Sequence, residues 1–164
     1  MTGSGIMGSP EAFKKEARER AYNYECEFHG CSQAVLQTFQ ELLGMEDDLL
    51  LKAAGPLCAG LGSGKGCGAL TAGILVLGMV HGRTRPEEGL GGLMKGFQVA
   101  QALVSRFEQE FGSTVCQEIS GVDWTDPQQV NRFISSKDAE KCCGVAGKTA
   151  EIVADLLVEH SEQQ

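Results

Sequence analysis

The sequence is poor in the features that mark the common functional classes. It has no Cys-x-x-Cys pair, hence no Cys-x-x-Cys-His haem attachment, no zinc knuckle and no ferredoxin loop. It has three histidines, His29, His81 and His160, standing far apart, and no Ser/His/Asp pattern or pair of buried carboxylates stands out. Asp47, Asp48, Glu87 and Glu88 read as exposed charge. Basic residues are few, 14 Lys and Arg against 22 Asp and Glu, so the net charge is −8 and the pI about 4.9. That balance weighs against nonspecific binding to nucleic acid or anionic lipid. The longest apolar run, Cys67 to Val80, is too short to span a bilayer and reads as a buried core helix. The opening MTGSGIMGSP has neither a basic start nor an apolar stretch, and Glu19 separates Arg18 from Arg20, so no secretory or twin-arginine signal is expected. The expected location is the cytoplasm, with no membrane and no nucleic acid as partner.

The loop GPLCAGLGSGKG invites a phosphate-binding reading, which its register does not support. Around Gly64 and Lys65 the first Walker position is Ala59 and the last is Gly66, and no strand precedes the loop. A flexible interhelical connection, or a nest of backbone N–H groups around an anionic centre, remains.

What is present is helical periodicity. With 164 residues, 42% of them hydrophobic, the chain can bury a core as one soluble domain. Phe13, Ala17, Ala21, Tyr24 and Phe28 recur at helical spacing. A second helix is expected from Cys31 to Leu43, closed by Gly44, and a short one over about 46–54. Cys67 to His81 is apolar all round, as in a helix enclosed by others. A long helix carries Leu93, Phe97, Ala100, Val104, Phe107 and Phe111. Asp126-Pro127 opens a short helix, and the last helix runs from about Cys142 to Glu159 with Val145, Ile152, Val153 and Leu156 inward. No strand-like alternation or repeat is visible. The expectation is an all-α bundle around the helix at 67–80, occupying 11–160 behind a flexible tail at 1–10.

Seven cysteines make an odd and high count for a reducing compartment, where structural disulfides are not expected. Cys26 and Cys58 read as small packed hydrophobes. Cys31, Cys67 and Cys142 each fall at an expected helix N-terminus, where free N–H groups and the macrodipole favour a thiolate. Lys65 and Lys141 stand just before two of them. Thiolates ligate iron–sulfur clusters and zinc, and also attack disulfides.

Four ordered segments then carry a resemblance. Cys31 opens CSQAVLQTF, Cys67 opens CGALTAGILVLGMVHGR, Cys116 follows RFEQEFGSTV, and Cys142 precedes a helix ending EIVADLL. From about Cys31 to Leu157 the chain resembles the prokaryotic C-GCAxxG-C-C family, named for its cysteine pattern. It departs from that pattern at Ala72, where glycine is expected, at Gly30 in place of the usual Asn, and at the doubled Cys142-Cys143. Register and helical phase favour Cys142 over Cys143 as the matched residue. The resemblance implies a redox role. The split-Soret cytochromes are relatives in which such a domain carries a 2Fe–2S centre beside a haem part. With no haem motif here, only the iron–sulfur half transfers. It implies Cys31, Cys67, Cys116 and Cys142 as cofactor and metal ligands of an iron–sulfur cluster, with no haem, in an electron carrier or redox sensor rather than a stand-alone catalyst. A redox partner protein is implied, and a homodimer stays open. Cys26, Cys58 and Cys143 fall outside the set. A metal-free thiol–disulfide protein and a structural zinc or interaction module are the other readings.

Overall fold

The computed structural model describes residues 9–161, and the expected tail lies outside them except for its last two positions. Pro10 is not tail but the first residue of α1 (Pro10–Phe28), whose orphan N–H at Ala12 is capped by the Ser9 hydroxyl. There follow α2 (Cys31–Leu43), α3 (Asp48–Ala54), α4 (Gly68–His81), α5 (Gly89–Phe111), α6 (Cys116–Ser120), α7 (Pro127–Ile134) and α8 (Glu140–Ser161). Among the described residues the only ladder pairing is an isolated bridge between Gly66 and Val115. The chain is an all-α single domain, and no described helix is long and apolar enough to cross a membrane.

The long α1 lies along α8, while α4 packs against α2, α5 and α8. Leu70, Val76 and Leu77 of α4 meet Leu36 and Phe39 of α2, Leu103 and Phe107 of α5, and Val153 and Leu156 of α8 in one core. The centrality of α4 ends with its last turn, where Val80 is 43% exposed. His81 closes that turn against His160, with ring centroids 5.6 Å apart. Burial and the neighbouring imidazole lower its pKa, opposing the cationic form that a helix C-terminus alone would favour.

Two helices turn a different face inward from the one their periodicity suggests. In α5 the buried stripe is Val99, Leu103 and Phe107, and Phe97 is 47% exposed. Gly92 and Gly96 continue that stripe, and a β-carbon at Gly92 would stand 3.0 Å from the Glu88 Cβ and 3.2 Å from the Arg83 Cβ. In α1 the stripe Phe13, Ala17, Ala21 runs on to Glu25 rather than to Tyr24 and Phe28, and Phe28 is 67% exposed.

Candidate functional site

Four helix starts point their first residues at one place. Cys31 is the first residue of α2, Cys67 is the N-cap of α4, Cys116 is the first residue of α6, and Cys142 is the third of α8. The short α6 is absent from the periodicity, because five residues carry too little pattern to read. All four cysteines line one largely enclosed cavity of about 80 Å³. That is several times the space one water needs, about 10–15 Å³ by the same measure.

Backbone hydrogen bonds tie two of them together. Across the Gly66–Val115 bridge the Cys67 N–H donates to Thr114 O at 2.9 Å and the Cys116 N–H to Lys65 O at 2.6 Å. The glycine-rich loop wraps this bridge, with Ala59, Gly60, Leu61 and Gly62 all in the left-handed region. Gly60, at φ 61°, leaves its missing β-carbon position 2.6 Å from the Cys116 Cβ, so no side chain fits there.

Two further groups belong to the cavity. Cys58, read from the sequence as packing, lines it as well. Its sulfur stands at the start of α2, where the N-cap is Gly30 and no side chain of the helix serves its first N–H groups. The sulfur lies beside Gly30 and 2.8 Å from the Ser32 hydroxyl, with the Cys31 thiol and the Ser32 and Gln33 N–H groups acting on it. These donors lower the Cys58 pKa, while the same contact, with burial, raises that of Cys31 well above an ordinary thiol. Glu25 is only 6% exposed, lines the cavity, and has its Oε2 buried with no partner. Burial, then the nearby Cys58, push its carboxyl up to about 8. A signal for Glu25 was present in the sequence, since it sits four residues beyond Ala21 on the inward stripe of α1. Nothing in the sequence singled out Cys58.

Burial governs the remaining thiols. It raises Cys67 against the N–H groups of Leu70 and Ala69. It pushes Cys116 up to about 11, helped by Cys67 and opposed by Ser120 and Trp124. Cys142 goes up to about 12 through burial and the Glu25 charge, with Lys141 opposing. The helix-start argument for thiolates at Cys31, Cys67 and Cys142 therefore loses at all three, to the Cys58 contact and burial at Cys31 and to desolvation at the other two. A positive centre in the cavity would reverse the balance.

The last two cysteines are not packed thiols, and they do not face the cavity. Cys26 of α1 and Cys143 of α8 are joined in a disulfide, with Cα atoms 5.3 Å apart. The close α1–α8 pair brings them together, and periodicity in either helix alone could not reveal it. Cys142 and Cys143 thus part, one to the cavity and one to the helix seam. Among the described residues no three His, Cys, Asp or Glu donors converge tightly enough for a single metal ion.

A family model described as "putative redox-active protein (C_GCAxxG_C_C)" matches residues 29–156. No curated protein and no solved structure matches the chain.

Proposed function

The chain belongs to the C_GCAxxG_C_C family, whose description supports a redox role, and from that premise we propose that it holds an iron–sulfur cluster for electron transfer or redox sensing. The ligands in this reading are Cys31, Cys67, Cys116 and Cys142, the complement of a 2Fe–2S centre. The observation that carries it is the cavity itself: thiols from four helix starts, two of them buried and two partly exposed, an unpartnered buried carboxyl, and room between them. Apolar walls give water little to bind there, yet sulfur donors and a lone carboxyl oxygen suit a cationic guest.

The donor arrangement also favours a cluster over zinc. A lone zinc ion binds sulfur at about 2.3 Å and needs its donors gathered around one point. The described donors do not gather so tightly. Cluster ligands are shared between separate irons and can stand further apart. When bound, the group supplies one-electron redox chemistry. The chain's part is to bind it through four thiolates, to exclude water with the apolar cavity wall, and to aim helix N-termini at the negative charge of those thiolates. A redox partner protein belongs to this reading.

Visible absorption tests it. The chain purified without oxygen, or reconstituted with iron and sulfide, should be coloured by thiolate-to-iron transitions. Ser at any one of the four positions should bleach or shift the bands. A colourless wild-type chain after reconstitution would contradict the reading.

A further inference from the structure

Cys58 differs from the other cavity thiols in its access. It lines the inner cavity and also a separate outer groove of about 320 Å³ on the other side of the α2 start. Cys31, Cys67, Cys116 and Cys142 line only the inner cavity. The groove is walled by Tyr24, Phe28, His29, Gln33, Gln37 and Leu51, a surface with two amides, one imidazole and no carboxylate, and its size is at the lower end of small-molecule sites. Behind Cys58 stands the Cys31 sulfur: the two meet at Gly68, whose missing β-carbon position is 2.5 Å from the Cys31 sulfur and 3.1 Å from the Cys58 Cα.

The surroundings of the Cys58 sulfur suit a change of state. The Ser32 hydroxyl is 2.7 Å from Ala54 O and 2.8 Å from the Cys58 sulfur, and its one proton serves one of them at a time. Beside a Cys58 thiol it donates to the carbonyl and accepts from S–H. As the sulfur gives up its proton in attack, the hydroxyl can turn and donate to it. An outer sulfur with donors and access, backed by an inner thiol, is the layout of an attacking and a resolving cysteine.

We propose that Cys58 and Cys31 form a dithiol–disulfide couple that exchanges with a low-molecular-weight disulfide entering through the outer groove. The Cys58 sulfur attacks one sulfur of the disulfide. A bond forms between them, the disulfide's own S–S bond breaks, and the first thiolate leaves and takes up a proton. The Cys31 sulfur then attacks the Cys58 sulfur, losing its proton as the Cys31–Cys58 bond forms, and the second thiolate leaves and is protonated. The small disulfide is reduced to two thiols and the protein pair is oxidised by the same two electrons. A small dithiol reverses the reaction. The couple works in the metal-free chain and does not depend on the cluster reading. Formation of the disulfide removes Cys31 from the ligands of that reading.

The test uses the full-length chain with its iron content measured in the same sample, so that failure here and failure of cluster binding are read separately. Metal-free chain is mixed with oxidised glutathione, and released glutathione and disulfide-linked peptides are followed. Wild type should release both thiols and yield a Cys31–Cys58 peptide link. Cys31→Ser should stop at a mixed disulfide on Cys58, and Cys58→Ser should release glutathione at least about tenfold more slowly. A mixed disulfide on another cysteine in Cys31→Ser, or an unchanged rate in Cys58→Ser, overturns the proposal. Should either variant misfold by circular dichroism, limiting alkylation of wild type decides: Cys58 labelled first supports it, another cysteine first overturns it.

Discussion

A β-carbon on Gly68 would stand 2.5 Å from the Cys31 sulfur, and 2.9 and 3.1 Å from Leu57 O and the Cys58 Cα. The residue after Cys67 is thus the surface on which Cys31 rests, and backbone on its far side leaves no room to yield. Gly68→Ala should displace the Cys31 sulfur and cost about 1–3 kcal/mol of stability, the usual range for overpacking. Denaturant unfolding measures the loss. Iron binding after reconstitution should fall with it, while Gly91→Ala, with open space around its position, should leave iron binding intact.

Glu25 gives a pH signature. Its folded pKa, about 8, is raised above the ordinary 4.5, so its favourable contribution is full below 4.5 and is lost as pH rises to 8. Glu25→Gln cannot ionise and keeps a carbonyl oxygen for the Gly30 N–H. In the metal-free chain the variant should match wild type near pH 4 and exceed it by roughly 2–4 kcal/mol at pH 8. Unfolding curves across that range check the slope. Parallel curves for the two proteins would show that Glu25 is not buried as described.

Helix existence and the enclosed character of α4 were legible because long apolar periods are hard to disguise. Gly44 and Asp126 mark helix ends through caps that the structure keeps, whereas the cap at Ser9 falls in the stretch read as tail. Rotation was less legible. The helix α5 has apolar residues on two faces, and which of them turns inward depends on packing against other elements, which no hydrophobic pattern records. At the cavity, the family pattern pointed to Cys31, Cys67, Cys116 and Cys142, and the structure brings these four to one place. Cys58 escaped notice because its role depends on a loop meeting the start of α2, a contact of tertiary origin. The Cys26–Cys143 bond escaped for the same reason: it joins residues 117 apart in sequence on two different helices.

That bond predicts a separation of roles at the doubled cysteine. Closing so long a loop should contribute about 2–5 kcal/mol. Cys143→Ser, or reduction of the disulfide, should lower unfolding stability by that amount, with bound iron retained. Cys142→Ser should leave the disulfide in place and lose the iron. Cys26→Ser and Cys58→Ser should each retain it. Iron loss in Cys143→Ser with retention in Cys142→Ser would reverse the assignment of the fourth ligand.

The most direct measurement is iron and acid-labile sulfide per chain, taken on protein purified and reconstituted without oxygen. A 2Fe–2S centre on four cysteines predicts iron and sulfide in equal amounts, about two of each per chain. The chain with Cys31, Cys67, Cys116 and Cys142 all replaced by Ser should hold neither. Iron and sulfide absent from the reconstituted wild type, or retained undiminished in the fourfold variant, would contradict the account.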